Sequence, residues 1–376
     1  MSRRGPRDAI LSVIEGQSLL SGRFTSLERI DAGGGEGSFS LLFKAHDRVS
    51  QETVALKFYD PQKRADEYRW HSFKREAELL AQFVGQPDIL QRVAPLDSFF
   101  LRFEHNGFPL DVEFSYYALE LAASSAAAAV AFDQWSPVKM LENFRSMCRS
   151  VQRIHAARVV HRDIKLSNFL AMADGAVKLC DFGTAKVLGD GETSLSLQYA
   201  LPVGELTYAA PELFAGLQDV DPRFNLKADI YSLGCVLFEM LTGTPLNPHL
   251  FDQGTLADLA RTMNAVNRSA RIRIYEEFVS ALESARPLPP LRYFNIGLPS
   301  CAIETVEGLY RRLCAIDYRR RISDFSAIFS YITRALIILN NEADYREWRK
   351  RRDLYRKNVE LKCLRLRQTA RIGVLP

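Results

Sequence analysis

Asp163, Lys165, Asn168 and Asp181 are the side chains whose types and spacing most directly suggest chemistry in this chain; they fall in HRDIKLSN at 161–168 and DFG at 181–183. A carboxylate at Asp163, held in a tight loop, can accept a proton from an incoming hydroxyl. Lys165 can neutralise a phosphate beside it. Asn168 offers a carbonyl oxygen to a hard cation, which prefers oxygen ligands. Between them, FLAMADGAVKLC reads as two short strands joined by a turn at Asp174-Gly175. That hairpin returns Asp181 to the side of Asn168, where both can hold Mg²⁺. The spacing suits a magnesium–nucleotide site.

Several stretches must position these groups. VKMLENFRSMCRSVQRIHAARVV at 138–160 carries Met140, Leu141, Phe144, Met147, Cys148, Val151 and Ile154 at helical spacing and delivers the chain to the loop. His155 and His161 read as packed scaffold residues. TVALKFYD at 53–60 is an apolar strand interrupted by Lys57, and an ammonium buried there needs a partner. WHSFKREAELLAQF at 70–83 is helix-like, with Phe73, Ala77, Leu80 and Phe83 on one side. Upstream, two β-type runs in FTSLERIDAGGGEGSFSLLFKAHD flank a glycine cluster, a hairpin whose turn can fold over a ligand. Glycines there let backbone N–H groups approach phosphate oxygens. LDSFFLRF at 96–103 and VEFSYYALEL at 112–121 complete a small antiparallel sheet, and from residue 123 the chain turns helical.

Taken together, these motifs resemble the eukaryotic-type protein kinase family. Six separated elements occur in that family's order over residues 24–335: the glycine loop, VALK, a helix glutamate, HRD…N, DFG and APE at 210–212. The resemblance implies an α+β, bilobal protein-kinase-like fold. A β-rich N-lobe with one main helix is expected at 24–119, a hinge at 120–123 and a mainly helical C-lobe at 124–340, with a loosely ordered lead-in at 1–23 and a basic helical tail at 341–376. It implies transfer of the ATP γ-phosphoryl group to protein hydroxyls, with ATP and Mg²⁺ as cofactors and a protein as substrate. Lys165 points to serine and threonine acceptors.

Carried over residue by residue, the resemblance gives Asp163 and Lys165 the catalytic positions. Lys57 pairs with Glu76, in preference to Glu78 on another helix face, to orient the phosphates. Asn168 and Asp181 hold the metal. Gly35, Gly37, Ser38, Phe39, Leu42, Ala55, Glu120, Leu121 and Leu170 surround the nucleotide, with Leu119 guarding the back of the pocket. Arg162 is the expected grip for a phosphate in the activation segment, at Thr193, Ser194, Ser196 or Tyr199, with autophosphorylation expected there; in an unmodified loop Asp190 or Glu192 would supply the anion. Asp229 is expected to hold the catalytic-loop backbone and Glu212 to pair with Arg321, leaving Arg319 and Arg320 solvated. Four positions depart from the family pattern: Ser40 replaces the third glycine, Leu42 the usual valine, Leu166 a proline, and Glu205 a threonine three residues before Tyr208. A carboxylate at Glu205 adds repulsion near Asp163, can bond Lys165, and favours a basic acceptor peptide.

Composition sets the remaining bounds. The 376 residues can bury a large core, and 47% hydrophobic with 25% charged residues is ordinary for a soluble globular protein. The cysteines, Cys148, Cys180, Cys235, Cys301, Cys314 and Cys363, include no CxxC pair, so neither a disulfide framework nor a zinc site is indicated and a reducing, cytoplasmic setting is expected. Cys180, just before the DFG aspartate, reads as a buried strand residue. The N-terminus is no convincing signal peptide, and no run of about 18 apolar residues predicts a membrane span. The net charge of +4 is uneven, because residues 346–376 alone carry +8 and leave −4 for residues 1–345. The expected tail helix alternates these basic residues with Tyr345, Trp348, Tyr355 and Val359, a pattern suited to an acidic partner, a membrane surface or nucleic acid.

Overall fold

The period-2 alternation of the N-terminal strands decides which side chains reach the cleft. In a computed structural model, which describes residues 6–30, 40–63, 66–105, 108–132, 134–189 and 204–372, β1 (Phe24–Arg29), β2 (Ser40–Asp47), β3 (Thr53–Tyr59), β4 (Arg92–His105) and β5 (Phe108–Glu120) form one antiparallel sheet in the order β1-β2-β3-β5-β4. One face carries Leu41, Phe43, Val54, Leu56, Phe58, Phe114 and Tyr116 into a closed apolar cluster. The other carries Leu42, Ala55, Lys57, Tyr117 and Leu119, with Leu42 opposite Lys57, Ala55 opposite Leu119 and Lys57 opposite Tyr117. A single-residue slip would exchange the two sets.

The lead-in expected to be loose is instead ordered from residue 6. Helix α1 (Pro6–Glu15) packs on β1, with Ile14 fully buried and Leu11 nearly so in the upper cluster. The physical reason is the spacing of Ile10, Leu11 and Ile14, which gives even a short helix one apolar face. Against the other side of the sheet lies α2 (Glu67–Gln82), whose first turn is capped by the Asp66 carboxylate accepting the Arg69 N–H at 3.1 Å.

Below the sheet the chain is mainly helical. After β6 (Ser124–Ser125) and α3 (Ala126–Ala131), α4 (Pro137–Ala156) begins with Pro137 in its first turn and Ser136 as its cap. Its predicted stripe is buried from Leu141 to Ile154, while Met140 stays partly exposed. There follow β7 (Val159–Val160), the hairpin β8 (Phe169–Ala171) and β9 (Val177–Leu179), and β10 (Lys186–Val187), which pairs with β7. Gly175 takes a φ of +83° in the hairpin turn, where a glycine is unstrained. Two short helices, α5 (Pro211–Phe214) and α6 (Leu217–Val220), lead into α7 (Phe224–Thr242), which is buried over nearly its whole length and ends at Gly243 in the left-handed region. Helices α8 (Asn247–Leu250), α9 (Gln253–Ala265), α10 (Arg271–Ala285), α11 (Ser300–Leu313) and α12 (Phe325–Asn340) complete the lower layer, with α4 and α11 packed on both α7 and α12.

Arg321 and Glu212 form the expected buried ion pair. Arg319 and Arg320 are not simply solvated. Arg319 lies 2.8 Å from Asp317 and 3.3 Å from Glu276, and Arg320 2.7 Å from Glu283, because α10 presents acidic side chains to this loop. The tail forms one 31-residue helix, α13 (Glu342–Ile372). Its first turns rest on the domain through Tyr345 and through Arg349, 2.6 Å from Glu304, whereas Trp348, Leu354 and Tyr355 are exposed. Among the described residues no helix is long and apolar enough to cross a membrane.

The two layers are tied along one edge. Leu179 donates to Asp88 O and accepts from Leu90 N, both at 2.9 Å. Arg153 on α4 reaches Asp88 at 3.0 Å, and Lys178 on β9 reaches Glu120 at the end of β5 at 2.6 Å.

Candidate active site

Strand β3 and helix α2 bring the first pair together. Lys57 Nζ lies 2.7 Å from Glu76 Oε2, with both residues buried, and 3.6 Å from Asp181 Oδ1. Burial pulls the Lys57 pKa down, but the charge on Glu76, with Tyr117 and Asp181 nearby, outweighs it and holds the pKa well above the ordinary lysine value. Burial pushes the Glu76 carboxyl above its usual range, and Lys57 offsets part of that. Glu78 points elsewhere, 3.9 Å from Lys74 on the helix exterior.

The hairpin does what its sequence predicts. Cys180 N–H donates to Asn168 O at 2.9 Å, so the residue before Asp181 is locked to Asn168. Asp181 itself takes a left-handed φ of +60°, a conformation aspartate tolerates better than most residues. Phe182 is fully buried, its ring 5.8 Å from that of Phe83 at the end of α2 and 5.1 Å from His161. That packing fixes Asp181 facing Lys57. Burial raises the Asp181 carboxyl, yet Lys57, His161 and Lys165 overcome it and hold it below the usual carboxylate range. Cys180, expected as a buried strand residue, lies one residue past β9 and is half-buried; burial pushes its thiol pKa up, and its Sγ donates to Asn168 O at 3.3 Å.

Asp163 is held from three directions. Asn168 Nδ2 donates to its backbone O at 2.8 Å and its Oδ2 at 3.0 Å; Lys165 Nζ is 3.1 Å away; the Glu205 N–H donates to Oδ1 at 2.9 Å. With its amide N–H groups spent on Asp163, Asn168 keeps its side-chain carbonyl oxygen on the opposite edge of the amide. The loop backbone is fixed by Asp229, which accepts from the N–H groups of His161 and Arg162 and from His155 Nε2, each at 2.9 Å. Burial raises the Asp229 carboxyl, but the His155 bond, His161 and the backbone donors reverse this and hold it below its ordinary value. His161 Nε2 lies 3.0 Å from Cys180 O, a structural contact that joins the two loops. Arg162 donates from Nε to Thr184 O at 2.6 Å.

Leu42, Ala55 and Leu170 are only partly buried, although each lies on a strand next to a buried neighbour, and Leu121, just past the end of β5, is also partly buried. Glu120 uses its N–H on Gln91 O at 3.0 Å and its carboxylate on Lys178 and on Gln91 N, so neither its side chain nor its N–H is free for a ligand. Gly35, Gly37, Ser38 and Phe39 lie outside the described residues, as do Asp190, Glu192, Thr193, Ser194, Ser196 and Tyr199.

Several further groups shape this site although no motif marks them. Tyr117, opposite Lys57, is buried with its hydroxyl pKa pushed up by burial and by Glu76. Gly204 has a φ of +98°, and a Cβ there would meet Arg162 O at 2.3 Å, so the chain beside Asp163 admits no larger residue. Asn247 donates to Leu206 O at 3.0 Å and Ala209 O at 2.9 Å, while Tyr208 bonds Glu239. The glycine directly before Glu205 was the one local signal of this close approach.

The protein kinase domain family matches residues 32–331. The chain is 29% identical over 288 residues to mitogen-activated protein kinase 15 of Caenorhabditis elegans, covering 73% of this chain and 57% of that protein. It is 30% identical to the putative cyclin-dependent kinase F-2 of Oryza sativa subsp. japonica, covering 76% and 86% respectively. To the probable serine/threonine-protein kinase glkA of Dictyostelium discoideum it is 30% identical, covering 73% of this chain and 50% of the relative. The match thus spans only about half the length of two of these three relatives.

Proposed function

This chain belongs to the protein kinase family, and on that premise we propose that it transfers the γ-phosphoryl group of ATP to serine or threonine hydroxyls of proteins. The observation that carries the proposal is Lys57 within 2.7 Å of Glu76 and 3.6 Å of Asp181, which gathers three distant chain segments on one point.

In this reading Asp163 orients the acceptor hydroxyl and takes its proton. Lys165 supports the transferred phosphoryl group, and Lys57, aimed by Glu76, orients the α- and β-phosphates. Asp181 and the side-chain oxygen of Asn168 are the metal ligands, a donor set of hard oxygens that fits Mg²⁺, which takes few protein ligands beside phosphates. Bound Mg²⁺ would supply neutralisation of the phosphate charge. Leu42, Ala55, Leu121 and Leu170 exclude water around the base, and most of the rate gain comes from positioning and charge stabilisation. Gly35, Gly37, Ser38 and Phe39 are assigned to the phosphates, and the backbone carbonyl of Glu120 to the adenine edge, on the family pattern.

The proposal includes autophosphorylation of the activation segment at Thr193, Ser194, Ser196 or Tyr199, read by Arg162. The basic helix α13 extends it to a negatively charged partner surface, which its charge and the exposed Tyr355 support. A cytoplasmic setting is proposed on the scatter of the cysteines alone.

The test compares the intact chain with Asp163→Asn in radiolabelled ATP and Mg²⁺, with the labelled residues mapped. Label in the wild type alone is expected. Equal label in both defeats the role of Asp163.

A further inference from the structure

The segment carrying Glu205 is built into the acceptor side of the site. Gly204 presses against Arg162 O, the Glu205 N–H is anchored on Asp163, and the next residues are pinned by Asn247, by Ser232 Oγ donating to Tyr208 O at 2.8 Å, and by the Tyr208–Glu239 bond. From that fixed backbone the Glu205 carboxylate reaches Lys165 Nζ at 3.4 Å and accepts from Thr207 Oγ1 at 2.7 Å. Lys165 is therefore shared between two carboxylates, with Asp163 at 3.1 Å. Burial works against the Lys165 ammonium, but Asp163 and then Glu205 more than compensate and raise its pKa.

Charge decides what this does. A hydroxyl in place of Glu205 would leave Asp163 and Lys165 balanced, whereas the carboxylate leaves one net negative charge. Of the three side chains Glu205 is the most open, 47% exposed against 21% for Lys165 and 11% for Asp163. The excess charge thus sits on the most solvent-accessible of the three side chains, where an incoming polypeptide can reach it. Asn168 and the Glu205 N–H already occupy Asp163, so the cation best placed to balance Glu205 is one brought by the substrate.

We propose that Glu205 is a specificity-determining residue that selects acceptor proteins carrying lysine or arginine beside the phosphorylated hydroxyl. This rests on the phosphotransfer proposed above. Selection arises both from attraction of the cation and from repulsion of an acidic neighbour.

The experiment uses the full chain, Mg-ATP and matched serine peptides with arginine, alanine or glutamate within two residues of the acceptor. Wild type is expected to favour the arginine over the glutamate peptide by about fivefold or more in kcat/KM, carried mainly by KM, as a partly exposed charge pair allows. Glu205→Gln should bring the ratio close to one, and Glu205→Asp, which restores the charge, should recover the preference. In the wild type alone the ratio should shrink between about 0.05 and 0.5 M salt, a readout that needs no variant to fold. A ratio unchanged by Glu205→Gln, or insensitive to salt, overturns the inference and leaves phosphotransfer standing. Failure of the wild type to phosphorylate any peptide overturns phosphotransfer itself, and this inference with it.

Discussion

Arg321 and Glu212, 109 positions apart in the chain, close an ion pair with both side chains wholly buried. Arg321 also donates to the carbonyls of Ala315 and Lys227, so the guanidinium is satisfied on several sides. Removing one partner strands the other charge in the interior. Arg321→Ala is expected to cost about 3–5 kcal/mol, read as a lower urea midpoint at an unchanged slope. An unmoved midpoint would show that the pair contributes nothing net.

Glu76→Gln keeps the shape of the helix side chain and removes the charge that aims Lys57. Because Lys57 also faces Asp181, the ammonium should turn toward that carboxylate and away from the phosphates. A fall in kcat/KM of about 10²-fold or more is expected, with the unfolding midpoint changing far less than for Arg321→Ala. Steady-state kinetics with varied ATP check this, and wild-type kcat/KM in the variant would remove Glu76 from the machinery.

Asp229 gives a pH-dependent prediction. Its folded pKa is held below the unfolded value of about 3.9, so its stabilisation is present above that value and lost as pH falls through the lower folded one. Asp229→Asn, which weakens the bonds to the N–H groups of His161 and Arg162, should lose about 2–3 kcal/mol at neutral pH. The gap between variant and wild type should narrow as pH drops from about 5 toward 2. Urea titrations across that range measure it, and a gap that widens on acidification contradicts the assignment.

Ile14 tests the unexpected helix α1. Its side chain is fully buried against the sheet, so Ile14→Ala should leave a cavity and destabilise by about 2–5 kcal/mol. Were residues 6–15 loosely ordered, as expected of a lead-in, thermal and chemical midpoints would stay where they are.

The meetings of Lys57 with Glu76 and Asp181, and of Asn168 with Asp163, were legible because each residue sits in a short motif whose order along the chain resembles the protein kinase pattern. Asp229 and Arg321 were legible because a buried charge in an apolar run demands a partner. Helix α1 was not, since one helical turn of apolar residues after a basic stretch looks the same whether or not a surface waits to cover it. The pairs Lys178–Glu120, Arg319–Glu276 and Arg320–Glu283 join elements far apart in the chain, and no local pattern encodes such meetings. Gly204 was passed over because the need for it comes from Arg162 O, a backbone atom that arrives from another loop.

The contacts of Leu179, Arg153 and Lys178 with Asp88, Leu90 and Glu120 all lie where the upper and lower layers meet. That line is the natural pivot between the layers: a jaw-like rotation about it keeps the separation of Asp88 and Arg153 nearly constant, while distances between the layers grow with distance from that pivot.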